Sequence, residues 1–211
     1  MKLLGKILRR INPPDMDATQ AWFRLDLRDP DRVRRPLEDT FELRECGPED
    51  LPLLAQLPGD PAVSTPVRAQ ATRRMSKGGT PWLSLENGKV AFGCWTFSGH
   101  APVFGGRNGG AQLPAGSVML EDSQTVPDFR GRGVAPATWS AIADLLAERG
   151  VEDMYTKVDV ENIPSTKAVL KAGFREVGNM RIVRSRRRFN TTVDLGNDAS
   201  DTDRWLLQLA S

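Results

Sequence analysis

Residues 118–135 read VMLEDSQTVPDFRGRGVA and join two different hydrophobic periodicities. The first half, residues 118–126, has the length and part of the alternation of a half-buried strand, which Pro127 ends. From Val134 onward the apolar spacing is helical, and Gly150 stands just past the end of that pattern, where helices commonly stop. The stretch therefore predicts a strand that leads into a helix through a glycine-rich turn.

The turn has the composition of an anion-binding site. Backbone N–H groups at a helix start lack internal partners and lie at the positive end of the helix dipole, so a diphosphate can bind there. Two arginines add positive charge beside the two glycines. We therefore expect a phosphorylated cofactor to bind Arg130, Gly131, Arg132, Gly133, Val134 and Ala135.

Two common nucleotide motifs do not fit this turn. A dinucleotide fingerprint requires a third glycine or alanine where Pro136 stands, and the Gly-Lys-Ser/Thr of a P-loop occurs nowhere in the chain. The turn matches instead the pattern Arg/Gln-x-x-Gly-x-Gly/Ala, with Arg130, Gly133 and Ala135 at its defined positions. By this motif the chain resembles the GNAT superfamily of N-acetyltransferases.

A second motif strengthens the resemblance. Residues 153–160 are a candidate strand, and Asn162 and Ser165 follow it, with a Gly-Phe pair at positions 173 and 174. This order is similar to the Asn-x-x-Ser/Ala... Gly-Phe segment of the same superfamily. The resemblance implies that Asn162 and Ser165 lie near the cofactor. Asn162 also suits a helix N-cap, and the two roles are compatible.

The resemblance is specific over residues 117–178 and loose over about 41–116. It implies an α/β (α+β) fold with a mixed, mostly antiparallel sheet, helices on both faces and a V-shaped split between the two central strands. Acyl-CoA lies in that split in relatives. The remaining pattern predicts a strand at Phe41–Glu45 and a hairpin around Asn87-Gly88. It also predicts a long loop over residues 98–116 and final strands over residues 176–186 and 204–209.

Length predicts one domain with a tail, divided into an N-terminal extension (residues 1–40) and an acetyltransferase domain (residues 41–211). Within the extension, residues 1–12 form a candidate amphipathic helix with basic residues opposite leucines and isoleucines. Such a segment can dock on a membrane surface or a partner. It is too short to be stable alone, so packing on its own domain or disorder is favoured.

Composition excludes several classes of function. The 29 basic and 27 acidic residues nearly balance, which gives no global argument for DNA, RNA or membrane binding. Cys46 and Cys94 are too few for a disulfide framework or a zinc site, and no spacing indicates metal ligands. With so few cysteines we expect a reducing cytoplasm and no metal. No apolar stretch is long enough to span a membrane.

Acetyl transfer to an amine requires that the amine be neutral, which a base promotes. Glu121 is the candidate base, and strand alternation places it on one face with Ser123 and Thr125, unless a bulge shifts the parity. A carboxylate paired with an arginine or with solvent is the alternative. The resemblance implies that the backbones of Thr125 and Val126 bind the pantetheine arm, and that N–H groups near Thr125 stabilise the developing oxyanion.

Many relatives carry a tyrosine where this chain has Val169, as the acid that protonates the departing thiolate. The only tyrosine, Tyr155, is on the neighbouring strand. Thiolate is a tolerable leaving group, so the absence does not exclude catalysis. The version without tyrosine resembles the branch that includes the ribosomal-protein N-terminal acetyltransferases, which favours an α-amine or small amine as acceptor.

The sequence thus predicts an N-acetyltransferase that transfers an acetyl group from acetyl-CoA directly to a primary amine, on a protein or peptide N-terminus or a small molecule. A non-catalytic acyl-CoA-binding module or sensor is the alternative. A third interpretation, docking on RNA or membrane through residues 2–10 and the Arg184–Arg188 cluster, predicts steep salt dependence. His100 is expected to be a solvated loop residue, and Trp82, Phe92 and Trp95 are expected mainly in the core.

Overall fold

The computed structural model describes residues 15–58, 67–106, 109–185 and 188–210. The strands are β1 Met16–Asp26, β2 Phe41–Glu45, β3 Gly79–Glu86, β4 Lys89–Ser98, β5 His100–Pro102, β6 Gly110–Gln112, β7 Ser117–Thr125, β8 Asp153–Asp159, β9 Arg175–Ser185 and β10 Arg188–Leu195. The helices are α1 Leu51–Leu54, α2 Val67–Met75, α3 Val134–Glu148 and α4 Ile163–Lys171. Short 3-10 helices cover Pro48–Asp50, Pro127–Phe129 and Asp201–Leu209.

Eight strands form one mixed sheet in the order β10-β9-β1-β8-β7-β4-β3-β2. Neighbours are antiparallel except β7 and β8, which run parallel at the centre. Their backbone register extends only from Ser117 opposite Asp153 to Met119 opposite Tyr155. Beyond it the Thr156 hydroxyl donates to the carbonyl of Leu120 at 3.0 Å, and the two strands then part. The predicted split between the central strands is thus present.

Each face of the sheet carries its own hydrophobic core. One core contains Trp22, Met119 and Tyr155 beneath α1 and α2. The other contains Phe23 and Leu120 with Ile142 of α3 and Val169 of α4. Because strand side chains alternate, consecutive residues of β1 and β7 contribute to opposite cores. The predicted fold class, a mostly antiparallel mixed sheet with helices on both faces, is confirmed.

The predicted division at residue 40 does not fall between two folded units. Strand β1 lies inside the sheet, between β8 and β9, and Ala21 to Leu25 are buried. Polar and apolar residues do not alternate cleanly there, because both faces of the strand are covered by packed elements. The candidate amphipathic helix of residues 1–12 lies outside the described residues, as do Arg186 and Arg187 of the basic cluster.

Two further sequence interpretations need correction. Residues 204–209 belong to a 3-10 helix rather than a strand, since Ser200 and Asp203 form a capping box that starts it. Residues 98–116 contain the paired short strands β5 and β6, with His100 exposed on β5. The hairpin between β3 and β4 agrees with its prediction, and Asn87 and Gly88 both have positive φ.

Candidate functional site

A cavity of about 840 Å³ opens on the α3 and α4 face, beside the point where β7 and β8 part. Its walls come from the end of β7, the glycine-rich turn, the first turns of α3 and one side of α4. The lining residues are Pro58, Phe92, Ser123, Gln124, Thr125, Phe129, Arg130, Gly131, Gly133, Val134, Ala135, Pro136, Trp139, Asn162, Pro164, Ser165, Lys167, Ala168 and Lys171. Eight of the ten predicted cofactor-binding residues are therefore brought together on one surface.

The glycine-rich turn is open toward solvent. Gly131 and Gly133 have φ values of +77° and +78°, which L residues rarely adopt, and a Cβ at either position would meet no atom within 4 Å. Gly133 is the N-cap of α3. Within the described part of the chain, the backbone amides of residues 131–133 have no hydrogen-bond acceptor. The turn and the helix start thus present free amides to an anionic ligand.

The electrostatics of the cavity favour a polyanion. Among the described residues that line it, the ionisable side chains are all basic: Arg130, Lys167 and Lys171. Arg130 Nε donates to the carbonyl of Thr125 at 3.3 Å, which holds the guanidinium beside the end of β7. Lys167 and Lys171 are one helical turn apart on α4, so they share a face of that helix. Sequence reasoning missed both lysines, although their spacing after the Asn162 cap was visible.

Arg132 and Val126 do not line the cavity. The Arg132 guanidinium forms an ion pair with Glu86 and lies over the rings of Phe41 and Phe129, at 5.4 and 5.2 Å from the ring centroids. The amide of Val126 donates to the carbonyl of Ala91 at 2.9 Å. The Arg132 side chain and the Val126 amide, both expected to bind the cofactor, are thus engaged elsewhere.

A β-bulge interrupts β7 in front of the cavity. Trp95 lies opposite Glu121 and Gly93 opposite Gln124, so Cys94 faces two residues, Asp122 and Ser123. Asp122 has φ +49°. The bulge reverses the side-chain parity: the Ser123 hydroxyl accepts from Trp139 Nε1 on the α3 face at 3.1 Å, while Glu121 points to the other face. The predicted shared face of Glu121 and Ser123 is therefore wrong.

Glu121 lies at the opening of the split and is largely enclosed. Lys157 Nζ on β8 donates to its Oε1, and the side chains of Glu121 and Lys157 are 15% and 8% exposed. Lys157 also lies over the Trp22 ring, with Nζ 5.7 Å from its centroid. Burial raises the pKa of Glu121, and the nearby Lys157 ammonium opposes that rise. The alternative considered from the sequence paired the Glu121 carboxylate with an arginine or with solvent and did not name Lys157.

A second ion pair stands next to the first. Arg74 of α2 binds the carboxylate of Asp122 and lies over the Trp95 ring, with Cζ 5.4 Å from its centroid. Both bulge carboxylates are thus neutralised by basic groups on the α2 face. A cationic acceptor reaching this face meets paired carboxylates rather than free ones.

Asn162 caps α4 and also lines the cavity. Its Oδ1 accepts from the amide of Ser165 at 3.2 Å, and both residues belong to the cavity wall. Val169 is buried on the inner side of the same helix. Tyr155 is buried under the opposite core, where its hydroxyl donates to Asp203 at 3.1 Å, and burial raises the pKa of its phenol. Neither Val169 nor Tyr155 lines the cavity.

The aromatic residues singled out from the sequence are all buried, and one of them borders the cavity. Phe92 lines it and packs edge-on against Trp139, with ring centroids 6.1 Å apart. Trp82 donates from Nε1 to the Thr96 hydroxyl at 2.9 Å within the core. Trp139 also lines the cavity, a position that the helical spacing of the sequence does not indicate.

Fold and site define a class of protein: a mixed α/β domain with an anion-binding helix start beside a split sheet. The chain belongs to the acetyltransferase (GNAT) family, whose model matches residues 50–174. No curated protein matches the chain.

Solved structures share the fold at low identity. One, from Novosphingobium aromaticivorans and assigned to the GNAT family, has a TM-score of 0.53 and 17% identity over 79% of this chain and 63% of that one. A GCN5-related N-acetyltransferase from Sphaerobacter thermophilus has a TM-score of 0.55 and 16% identity, over 94% and 57% of the respective chains. This chain spans less than two thirds of the length of either structure.

A third similar structure holds a ligand. AAC(6')-Iy, in complex with a bisubstrate analog, CoA-S-monomethyl-acetylneamine, has a TM-score of 0.51 and 22% identity over 64% of this chain and 91% of that one.

In residues 15–58, 67–106, 109–185 and 188–210, no helix combines the length and apolar character needed to cross a membrane.

Proposed function

We propose that this protein is an acetyl-CoA-dependent N-acetyltransferase of the cytoplasm that acts on a primary amine. The observation that carries the proposal is a cavity built on an open helix start, in which every ionisable side chain from the described residues is basic. It lies beside a sheet split at which the largely enclosed carboxylate of Glu121 is placed. Membership of the acetyltransferase (GNAT) family supports the same reaction class.

The residues present fit coenzyme A, whose phosphates are anionic. The turn leaves room for a diphosphate, because a Cβ at Gly131 or Gly133 would meet no atom, and within the described residues the amides of 131–133 have no acceptor. Arg130, Lys167 and Lys171 add charge. Thr125 and Gln124 line the path for the pantetheine arm along β7. Acetyl-CoA supplies the acetyl group as an activated thioester.

Glu121 acts as the base in this proposal. Its raised pKa brings its ionisation closer to neutral pH, which suits a group that takes a proton from an ammonium. Backbone N–H groups around the bulge stabilise the charge that develops on the acetyl oxygen, because a bulge leaves backbone groups outside the regular ladder. The buried Val169 leaves the thiolate to be protonated by solvent.

The acceptor is a protein or peptide N-terminus or a small-molecule amine. Two similar structures carry amine-bearing ligands: the acetylneamine analog above, and sisomicin in an aminoglycoside acetyltransferase with a TM-score of 0.50 and 13% identity. Aminoglycosides therefore belong in the acceptor panel together with peptides that have free N-termini.

The test is thiol release from acetyl-CoA over that panel, with coenzyme A binding measured separately by calorimetry. We expect Glu121→Gln to retain coenzyme A affinity and to lose about 10²- to 10⁴-fold in turnover. Glu148→Gln, a change at an exposed carboxylate on α3, is the matched control and keeps full activity. Equal turnover in the two variants would contradict the role of Glu121.

A second candidate is a non-catalytic acyl-CoA-binding module. The observation in its favour is that the Glu121 carboxylate is already bound by Lys157. Coenzyme A binding without thiol release across the whole panel would support this candidate over the enzyme.

A further inference from the structure

We propose that Lys157 is a self-acetylation site, at which its amine accepts the acetyl group of a bound acyl thioester with Glu121 as the proton acceptor. The inference rests on the proposed function, because the thioester must lie in the cavity described above. It assigns to Lys157 a chemical role that the cofactor-binding residues do not share.

Lys157 occupies the position that an acceptor amine requires. The parallel register of β7 and β8 ends at Met119 and Tyr155, and Glu121 and Lys157 each lie two residues beyond it. Their side chains therefore meet across the start of the split, where Nζ donates to the carboxylate. The candidate base is thus already in contact with an amine of the protein.

The cavity directs a thioester toward this pair. A diphosphate at the turn of residues 131–133 places the ligand's arm along Thr125, Gln124 and Ser123, which all line the cavity. A strand advances roughly 3.3 Å per residue, so Glu121 lies roughly 7 Å beyond Ser123, or less across the bulge. Glu121 and Lys157 do not themselves line the cavity, so the reactive end of the arm reaches them through the split between β7 and β8.

A buried hydrogen-bond donor lies beside Lys157. Trp22 is buried beside it, and in the described part of the chain its indole Nε1 has no hydrogen-bond partner. A buried donor without a partner is costly, and an acetamide on Lys157 brings a carbonyl oxygen to this region.

The chemical step balances. Glu121 takes one proton from the Lys157 ammonium, and the freed amine attacks the thioester carbonyl. The new C–N bond forms and the C–S bond breaks. The second nitrogen proton passes to solvent, which in turn protonates the leaving thiolate to give the free thiol. Glu121 returns its proton to solvent. Because an amide is stable, the product is a lasting mark on the protein and not an intermediate in transfer.

The experiment incubates the full chain with acetyl-CoA in the absence of any acceptor and follows acetylation of each lysine by peptide mass mapping. Exposed Lys167 and Lys171, near the same cavity, report chemical acetylation within the same sample. We expect Lys157 to be acetylated first despite its burial. Glu121→Gln is expected to slow that site by about 10²-fold or more without changing the two exposed lysines.

Lys157→Arg keeps the positive charge and is expected to abolish the early acetylation at position 157. Lys77→Arg, at an exposed lysine outside the cavity, is expected to retain early acetylation of Lys157. Coenzyme A binding and amine turnover with an unmodified Lys157 would overturn this inference and leave the proposed function standing. Acetylation spread over exposed lysines and unaffected by Glu121→Gln would also overturn it. Absence of coenzyme A binding would defeat the proposed function and this inference together.

Discussion

The carboxylate of Glu121 lies in surroundings that oppose its ionisation. Burial raises its pKa, and the ammonium of Lys157 is the main influence in the other direction. The Trp22 ring beneath Lys157 stabilises that ammonium through a cation–π contact. Lys157 is therefore the neighbouring side chain that most strongly affects the charge state of Glu121, and it can be changed separately.

Replacing Lys157 with methionine is expected to raise the pKa of Glu121 further, because the carboxylate loses its counter-charge while remaining buried. A base acts when deprotonated, so turnover rises as pH increases through the pKa of Glu121. The acidic limb of kcat/KM is thus expected to move to higher pH in Lys157→Met and to stay close to its original position in Lys157→Arg. Thiol release measured across pH checks this, and coincident profiles would exclude the coupling.

Helix α3 begins at Gly133, which has a left-handed backbone conformation and open space around its Cβ position. Gly133 at its beginning and Gly150 just past its end have nearly equal positive φ values, +78° and +83°, and a Cβ added to either residue would meet no atom within 4 Å. Only Gly133 lines the cavity. The two ends of one helix therefore offer a matched pair of glycines.

Gly133→Leu and Gly150→Leu are each expected to destabilise the fold by about 1–2 kcal/mol, the cost of a left-handed L residue. Only Gly133→Leu is expected to weaken coenzyme A binding, by about tenfold or more, since its side chain enters the diphosphate site. Calorimetric titration and urea unfolding measure the two effects. Equal coenzyme A affinity in both variants would place the diphosphate elsewhere.

The bulge in β7 depends on a strained residue. Asp122 adopts φ +49°, which asparagine tolerates and β-branched residues do not. Asp122→Asn is expected to retain the bulge and to lose only the partly exposed pair with Arg74. Asp122→Val is expected to cost about 1–3 kcal/mol more and to lower turnover, because Glu121 is aimed by the bulge. Urea unfolding measures the stability of the two variants, and thiol release measures their turnover. Equal stability of Asp122→Asn and Asp122→Val would argue against backbone strain at Asp122.

A buried charge network joins distant parts of the chain into one unit. Arg24 of β1 is almost fully buried, and its guanidinium bonds Asp153 of β8 at 2.5 Å and the Ser200 hydroxyl at 2.7 Å. Asp203, in the C-terminal 3-10 helix, lies 3.6 Å from the same group. The network thus fixes the C-terminal segment to strands β1 and β8.

Arg24→Met is expected to lower the free energy of unfolding by about 3–5 kcal/mol, because it leaves buried carboxylates without their counter-charge. Arg28→Ala, which removes a half-exposed arginine paired with Asp26 and Glu152, is the control and is expected to change stability little, since solvent screens its pairs. Urea unfolding followed by circular dichroism provides both values. Similar losses in the two variants would show that the buried network does not stabilise the fold.

The fold class followed from the resemblance to the GNAT superfamily. Local chemistry in the sequence determined the glycine-rich turn, the hairpin at Asn87-Gly88 and the cap at Asn162. These features depend on backbone conformations that few residue types favour, such as positive φ at glycine and side-chain capping by asparagine. Their positions along the chain are therefore visible without knowledge of packing.

Tertiary structure alone decided which partners these elements meet. It placed β1 inside the sheet, paired Glu121 with Lys157, and drew the Arg132 side chain away to Glu86. Each of these contacts joins residues far apart in sequence. They depend on strand order, on a single bulge and on burial, which no local pattern encodes.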